Sequence, residues 1–92
     1  MYSPEYALFV QHLRTAIQGS TLQQIELADK LGKRQSYISK ILAGYQAITV
    51  VEAWALLDAA GISFSAWAHE LDEALKAQRQ QASEEQQAST LE

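Results

Sequence analysis

The stretch that decides the fold is residues 24–44, which read QIELADKLGKRQSYISKILAG. Ile25, Ala28 and Leu31 recur at a spacing of three residues, which is the spacing of one helix face. Gly32 then supplies a residue that can adopt a left-handed conformation and end that helix. The stretch therefore predicts two short amphipathic helices that are joined by a tight turn and approach each other closely at Ala28.

The second helix of this pair, from about Arg34 or Gln35 to Leu42, has two different faces. Its inward-facing residues are Ile38, Ile41 and Leu42, and its outward-facing residues are Gln35, Ser36, Ser39 and Lys40. A polar and basic outer face is typical of a helix that enters a DNA groove. The structural alternative is a solvated helix face without a ligand.

Positive charge is confined to the same region, although the chain as a whole is acidic. The net formal charge of the 92 residues is -4. Residues 30–51 contain four basic residues and no acid, whereas residues 1–29 sum to -2 and residues 52–92 sum to -6. A local basic block in an acidic chain indicates an electrostatic footprint for a polyanion.

Helix start and stop signals predict three more helices. Ser3-Pro4-Glu5 combines a hydroxyl cap, a first-turn proline and a first-turn acid. Thr21 to Gln24 and Thr49 to Glu52 have the spacing of capping boxes, which would open helices 2 and 4. Ser63 is the expected cap of helix 5 after Gly61 ends helix 4. We therefore expect an all-α domain of five helices.

Apolar positions in the last two helices predict which faces are buried. On helix 4 the predicted face is Val50, Ala53, Trp54, Leu57 and Ala60, and on helix 5 it is Phe64, Trp67, Ala68, Leu71 and Leu75. Both tryptophans are expected in the core. Because the apolar stripe ends at Leu75, we expect a domain over residues 1–76, and over residues 77–92 a helix extension followed by a disordered tail.

Several classes of protein are disfavoured by composition. The chain has no cysteine, and its apolar runs are too short to cross a bilayer. The start of the chain lacks the basic and apolar regions of a signal peptide, so we expect a cytoplasmic protein without a membrane partner. No nucleophile elbow, phosphate loop or dinucleotide motif is present, and we expect neither an enzyme nor a cofactor. His69, Asp72 and Glu73 have helical spacing for a metal site, but we interpret them as solvated.

The residues also resemble a known family. Leu27–Ile41, then Gly44 and Thr49–Glu52, are similar to the Cro/lambda-repressor-like helix-turn-helix family, which is also called the XRE family. The resemblance extends over roughly residues 8–62. It implies a compact five-helix lambda-repressor-like domain with the helix-turn-helix at helices 2 and 3. The implied partner is double-stranded DNA, usually bound by a homodimer with helix 3 in the major groove.

The resemblance also implies roles for individual residues. The implied base-reading residues are Gln35, Ser36 and Lys40, and the implied phosphate contacts are Gln24, Lys33, Arg34, Ser39, Tyr45 and Gln46. Glutamine can bind adenine through two hydrogen bonds, and lysine can donate to guanine acceptors, so these residue types suit base edges.

The chain departs from the family pattern at several positions. An arginine and a glutamate that form an ion pair in the family are replaced here by Ile17 and Leu42. A joint replacement can be neutral or stabilising, because neither charge is left buried alone. Lys33 stands where an apolar residue is common, and the loop Tyr45-Gln46-Ala47 lacks the usual basic residues. Affinity for phosphate is therefore expected to be modest.

Two functions are compatible with these observations. The first is a sequence-specific transcriptional regulator, expected to be a repressor, that binds DNA as a homodimer. The expected contact between the two copies is a surface formed by Phe64, Trp67 and Leu71. The alternative is a protein-interaction adaptor or antitoxin-like subunit with weak or no DNA binding. Such an adaptor would bind its protein partner through helix 5 or the acidic tail.

Overall fold

The chain folds into five α-helices in a computed structural model that describes the backbone of residues 3–91 and the side chains of residues 3–81. The helices are α1 (Pro4–Gln18), α2 (Gln24–Leu31), α3 (Gln35–Ala43), α4 (Val50–Ala59) and α5 (Phe64–Leu91). Residues 3–91 contain no strand. The predicted all-α, five-helix architecture is confirmed.

The core is built around α1, which packs against α3, α4 and α5. Helix α2 packs against α3 and α4, and α4 also contacts α5. The largest fully buried side chains come from four of the helices: Leu13, Leu27, Ile38, Ile41, Leu56 and Leu57. One continuous apolar cluster therefore holds α3 by its inner face and leaves its outer face in solvent.

Three of the predicted helix starts are confirmed. The Ser3 hydroxyl accepts a hydrogen bond from the Tyr6 amide at 3.1 Å, and the Ser63 hydroxyl accepts one from Ala66 at 3.3 Å. Thr49 and Glu52 form the predicted capping box, in which each side chain accepts from the other residue's amide, at 3.1 and 3.2 Å. These bonds satisfy amides that the first turn of a helix leaves without a partner.

The predicted start of α2 is wrong. The cap lies at Gln23 rather than Thr21, and the Gln23 amide donates to the Glu26 carboxylate at 3.4 Å. The Ser20 hydroxyl donates to the Ile17 carbonyl at 2.7 Å, and residues 20–23 stay outside the helix. Leu22 packs against the core from this connection, so tertiary packing delays the helix by two residues relative to the Thr21 cap.

The apolar replacement of the family ion pair is accommodated in the core. Ile17 and Leu42 are both 3% exposed and belong to the same apolar cluster. A different polar contact joins the same helices, because Arg14 Nε donates to the Leu42 carbonyl at 2.6 Å. This bond supplies a donor to the last turn of α3, where carbonyl oxygens lack partners within the helix.

The predicted inner face of α4 is wrong by part of a turn. The buried residues are Ala53, Leu56 and Leu57, whereas Trp54 is 51% exposed and Val50 is 63% exposed. Nearly every residue of VVEAWALLDA is apolar, so the sequence could not distinguish one face from another. The prediction that Trp54 is a core aromatic is therefore wrong.

On α5 the structure confirms Trp67 as a core residue. Trp67 is 5% exposed, Leu71 is 9% exposed, and Phe64 is half-buried against the same cluster. The Phe9 and Trp67 rings pack in a T-shaped arrangement, with their centroids 5.6 Å apart and an angle of 78° between the ring planes. Trp67 and Leu71, two of the three residues of the predicted dimer surface, are thus buried within their own chain, whereas Phe64 stays half-buried.

Helix α5 continues to Leu91, beyond the last apolar residue of its stripe. All of residues 77–91 therefore follow a helical path, in the segment 77–92 for which the sequence predicts a helix extension and a disordered tail, and residue 92 lies outside the described residues. Alanine and glutamine have favourable helix propensity, which agrees with this continuation. The domain boundary at residue 76 stays a prediction. Across residues 3–91, no helix combines the length and apolar character that crossing a membrane requires.

Candidate nucleic-acid interface

The outer face of α3 and the start of the next loop bring together five of the nine residues that the sequence predicts as DNA contacts. An open depression of about 510 Å³ is lined by Gln35, Ser36, Ser39, Lys40, Ala43 and Tyr45. The five helical members are spaced i, i+1, i+4, i+5 and i+8, which is one face of an α-helix. The structure thus brings together the three predicted base readers and two of the predicted phosphate contacts.

A glycine turn sets the angle between α2 and α3. Gly32 has φ of 66°, in the left-handed region, and the Lys33 amide donates to the Ala28 carbonyl at 2.9 Å. This bond pattern closes α2 and redirects the chain within three residues. Ala28 is 2% exposed, so a small side chain fills the place where the two helices meet.

A second glycine turn positions Tyr45 beside the depression. Gly44 has φ of 84°, and the Tyr45 amide donates to the Lys40 carbonyl at 2.9 Å. The Tyr45 side chain is 85% exposed. Further along the same loop, the Ile48 amide donates to the Tyr6 hydroxyl at 2.9 Å. The loop is therefore anchored at both ends while Tyr45 remains available to a ligand.

Gln24 is linked to the outer face of α3 by a hydrogen bond. The Ser39 hydroxyl donates to Gln24 Oε1 at 2.9 Å, which orients the amide group of Gln24. A glutamine amide held by its oxygen still has two N–H donors. The first residue of α2 and the middle of α3 thus form one polar surface.

The four bases of residues 30–51 divide into two groups. Lys33, Arg34 and Lys40 are exposed at or on α3, and Arg34 is the cap residue from which that helix starts. Lys30 instead donates to the Ala59 carbonyl at 3.2 Å, at the last residue of α4. A cation there is favourable because the carbonyl end of a helix carries partial negative charge. Three bases, not four, therefore border the α3 face.

Tyr37 connects α3 to the start of α4. Its hydroxyl donates to Glu52 Oε2 at 2.5 Å, and Lys33 Nζ lies 5.4 Å from the centre of the Tyr37 ring. Burial, followed by this hydrogen bond and the charge of Glu52, raises the pKa of Tyr37 to about 12. The hydrogen bond from Tyr37, with further bonds from Thr49, lowers the pKa of Glu52 below its ordinary value.

Neither this Tyr37–Glu52 link nor the Arg14–Leu42 bond is predictable from the sequence. The paired residues are 15 and 28 positions apart, and no local pattern relates them. Gln46 is half-buried on the loop and does not line the α3 depression. Its contact with phosphate stays a prediction.

The helical triplet on α5 does not gather into a metal site. His69 Nε2 lies 3.1 Å from Glu73 Oε1, while Asp72 pairs with Lys76 at 3.0 Å. Within the part of the chain that the structure describes, no three His, Cys, Asp or Glu side chains are placed to hold a metal ion.

Comparison with known proteins identifies the family. No curated protein and no solved structure matches the chain significantly. A family model described as helix-turn-helix matches residues 13–67, which is more than half of the chain and includes α2, α3 and α4. The matched range also contains every residue of the α3 depression. The chain belongs to the helix-turn-helix family of DNA-binding regulators, the XRE family.

Proposed function

We propose that this protein is a sequence-specific transcriptional repressor that acts in the cytoplasm as a homodimer and inserts α3 into the major groove of its operator. The observation that carries the proposal is the outer face of α3. Four side chains with hydrogen-bonding groups, Gln35, Ser36, Ser39 and Lys40, line one exposed depression there. A helix of this width fits the major groove of B-form DNA, which is about 12 Å wide.

The first turn of α3 supplies the chemistry for reading bases. Gln35 carries both a donor and an acceptor and can bind adenine through two hydrogen bonds. Ser36 can donate or accept, and Lys40, one turn further along, can donate to the acceptors of guanine. We therefore assign base reading to Gln35, Ser36 and Lys40.

The residues around the first turn of α3 are the proposed phosphate contacts. Lys33 and Arg34 precede α3, and the amide of Gln24 is oriented by Ser39 at 2.9 Å. Contacts of this kind fix the register of a protein on DNA without reading its sequence. Ser39, Tyr45 and Gln46 complete the proposed set of phosphate contacts.

Repression needs no activity beyond binding, because occupancy of a DNA site at a promoter is enough to produce it. A domain that fills the major groove at a promoter excludes other proteins from the same site by steric overlap. A homodimer suits this role, because two recognition helices about 34 Å apart bind two half-sites on one face of the duplex.

Selection of bound sequences from random double-stranded oligonucleotides tests the proposal. We expect one enriched motif, and we expect the affinity for it to fall as salt rises, because bound phosphates release counterions. Absence of both an enriched motif and a salt dependence would contradict the proposal and favour the adaptor or antitoxin-like alternative.

A further inference from the structure

A second pocket lies between α1 and α5. Its volume is about 310 Å³, at the lower end of the range of about 300 to 1,000 Å³ that pockets for small molecules occupy. Its lining residues come from α1 and from the first two turns of α5: Gln11, His12, Thr15, Ala16, Trp67 and Glu70. None of them lines the α3 depression, so this α1–α5 pocket is separate from the proposed DNA interface.

Trp67 forms one wall of the α1–α5 pocket and has an unsatisfied hydrogen-bond donor. The residue is 5% exposed, and its indole Nε1 is buried without a partner among the residues whose side chains the structure describes. The rings of Phe9 and Phe64 pack against it, each with its centroid 5.6 Å away, and neither carries an oxygen or nitrogen acceptor. A buried donor without a partner is energetically costly, and an acceptor that enters through the pocket would remove that cost.

Glu70 supplies a negative charge one turn along α5 from Trp67. Its side chain is exposed, and neither ion pair within residues 64–81 includes it. Side chains three residues apart on a helix have Cβ atoms about 5 to 6 Å apart. A ligand with a chain of about five bonded atoms can therefore reach both the Glu70 carboxylate and the Trp67 indole.

The α1 side of the pocket adds uncharged polar groups. His12 is half-buried, and a neutral imidazole carries one donor and one acceptor. The Thr15 hydroxyl donates to the Gln11 carbonyl at 2.9 Å, so its oxygen is still able to accept. Because these groups can pair with either kind of ligand atom, Trp67 and Glu70 decide the class of ligand: Trp67 needs an acceptor, and Glu70 attracts a cation.

We propose that the α1–α5 pocket binds a small organic amine that also carries a carbonyl oxygen. The ammonium group pairs with the Glu70 carboxylate, and the carbonyl oxygen accepts a hydrogen bond from Trp67 Nε1. A hydrogen bond between two charged groups is stronger than a neutral one, and the net charge of -4 disfavours an anion. A molecule with only one of the two groups leaves either the indole or the carboxylate without its partner and binds more weakly.

Heteronuclear NMR of the indole N–H groups in the full chain tests the site. The chain has two tryptophans, and Trp54→Phe assigns their two signals because it removes that of the exposed residue. The probe is γ-aminobutyramide, which carries an amine at one end and a carbonyl at the other. We expect it to shift the Trp67 signal until the site is saturated and to leave the Trp54 signal unchanged.

Two matched probes test the class of ligand. Butylamine keeps the amine and lacks the carbonyl, whereas butyramide keeps the carbonyl and lacks the amine. Each should have a dissociation constant at least about fivefold higher than that of γ-aminobutyramide, because one hydrogen bond is lost. Equal binding of the three probes would overturn the assigned class.

Glu70→Gln and Glu73→Gln separate the pocket from the general acidity of α5. Both variants remove one negative charge from an exposed position, but Glu73 pairs with His69 at 3.1 Å and does not line the pocket. Glu70→Gln should raise the dissociation constant of γ-aminobutyramide at least about fivefold, and Glu73→Gln should change it less than about twofold. The dispersion of the NMR spectrum checks that both variants are folded.

Three further results would overturn the inference. A Trp67 signal that no probe moves would show that ligands of this class do not reach the donor. Equal shifts of the Trp54 and Trp67 signals would show nonspecific association. Equal losses for Glu70→Gln and Glu73→Gln would show attraction to an acidic helix rather than binding in the pocket.

Discussion

At the scale of single residues, the contact that most directly fixes α3 relative to α4 is the hydrogen bond from Tyr37 to Glu52. It joins the half-buried Tyr37 of α3 to the capping box of the next helix. Since Glu52 also accepts a hydrogen bond from Thr49, one carboxylate both caps the start of α4 and holds α3 beside it. Because both Tyr37 and Glu52 are titratable and their pKa values are shifted, the stability that this link contributes depends on pH.

The pH dependence of this link has a definite sign. The pKa of Glu52 is lowered in the fold, so its contribution is present above the ordinary value of 4.5 and is lost as pH falls through the lower, folded value. The pKa of Tyr37 is raised from 10.0 to about 12, so its contribution is present below 10.0 and is lost as pH rises towards 12.

Tyr37→Phe should consequently lower the free energy of unfolding at neutral pH but not at the extremes. Urea denaturation across a pH series measures the difference between the variant and the unchanged protein. We expect that difference to be largest between about pH 5 and pH 10 and to shrink on both sides. The control is Tyr45→Phe, whose side chain is 85% exposed and whose change should have little effect. A difference that is constant with pH would show that the link is not responsible.

At the scale of elements, the turn between α2 and α3 depends on the backbone of Gly32. A Cβ at this position would meet no atom within 4 Å, so any cost of substitution arises from φ of 66° rather than from a clash. Gly32→Ala should therefore destabilise the protein by about 1 to 2 kcal/mol, the cost of a left-handed alanine.

Gly32→Asn is the matched variant for this prediction, because asparagine tolerates the left-handed region better than alanine does. Thermal or urea denaturation should give a smaller loss for Gly32→Asn than for Gly32→Ala. Equal losses would indicate that the effect is not conformational.

The end of α3 depends on a contact from α1. Arg14→Met keeps much of the side chain's length but removes the donor to the Leu42 carbonyl, and a bond to a charged donor contributes about 1.5 to 3 kcal/mol. We expect a loss of that order in urea denaturation. Arg79→Met, at an exposed position of α5, is the control and should change stability by less than about 0.5 kcal/mol.

Which elements were predictable follows from how local their signals are. The starts of α1, α4 and α5 are fixed by bonds between residues three apart, and the sequence contains both partners. The buried face of α4 was not predictable, because an almost wholly apolar helix has no polar side to mark the solvent. Its exposed Trp54 became visible only when the packing against α1 and α2 was known.

The α3 face was predictable for the opposite reason. Polar residues on one side and apolar residues on the other determine its orientation, so Gln35, Ser36 and Lys40 could be placed together from the sequence. Ser39 binding to Gln24 and Tyr37 binding to Glu52 could not, because each bond depends on the relative position of two helices.

At the scale of the whole molecule, basic residues are concentrated beside α3 while the rest of the chain is acidic, and this distribution determines how the protein binds a polyanion. Three bases border α3, while the net charge of the chain is -4. The chain as a whole therefore attracts DNA only weakly, and the three bases beside α3 must supply the electrostatic attraction. Binding should depend on a small number of phosphate contacts.

A pair of lysine variants separates the local field from overall charge. Lys33→Ala should reduce the slope of log affinity against log salt by about one and weaken all DNA sequences alike. Lys30→Ala changes the net charge equally but removes a lysine that donates to α4, so its slope should be nearly unchanged. Equal slopes for the two variants, measured by fluorescence anisotropy, would show that only the net charge matters.

The central claim is that the outer face of α3 reads base sequence. Its most direct test is the DNA motif that Gln35→Ala selects from random oligonucleotides, compared with the motifs of the unchanged protein and of Lys33→Ala. We predict that Gln35→Ala loses preference at one base position per half-site, at a cost of about 1 to 3 kcal/mol, while Lys33→Ala keeps the motif. An unchanged motif for Gln35→Ala would contradict the claim.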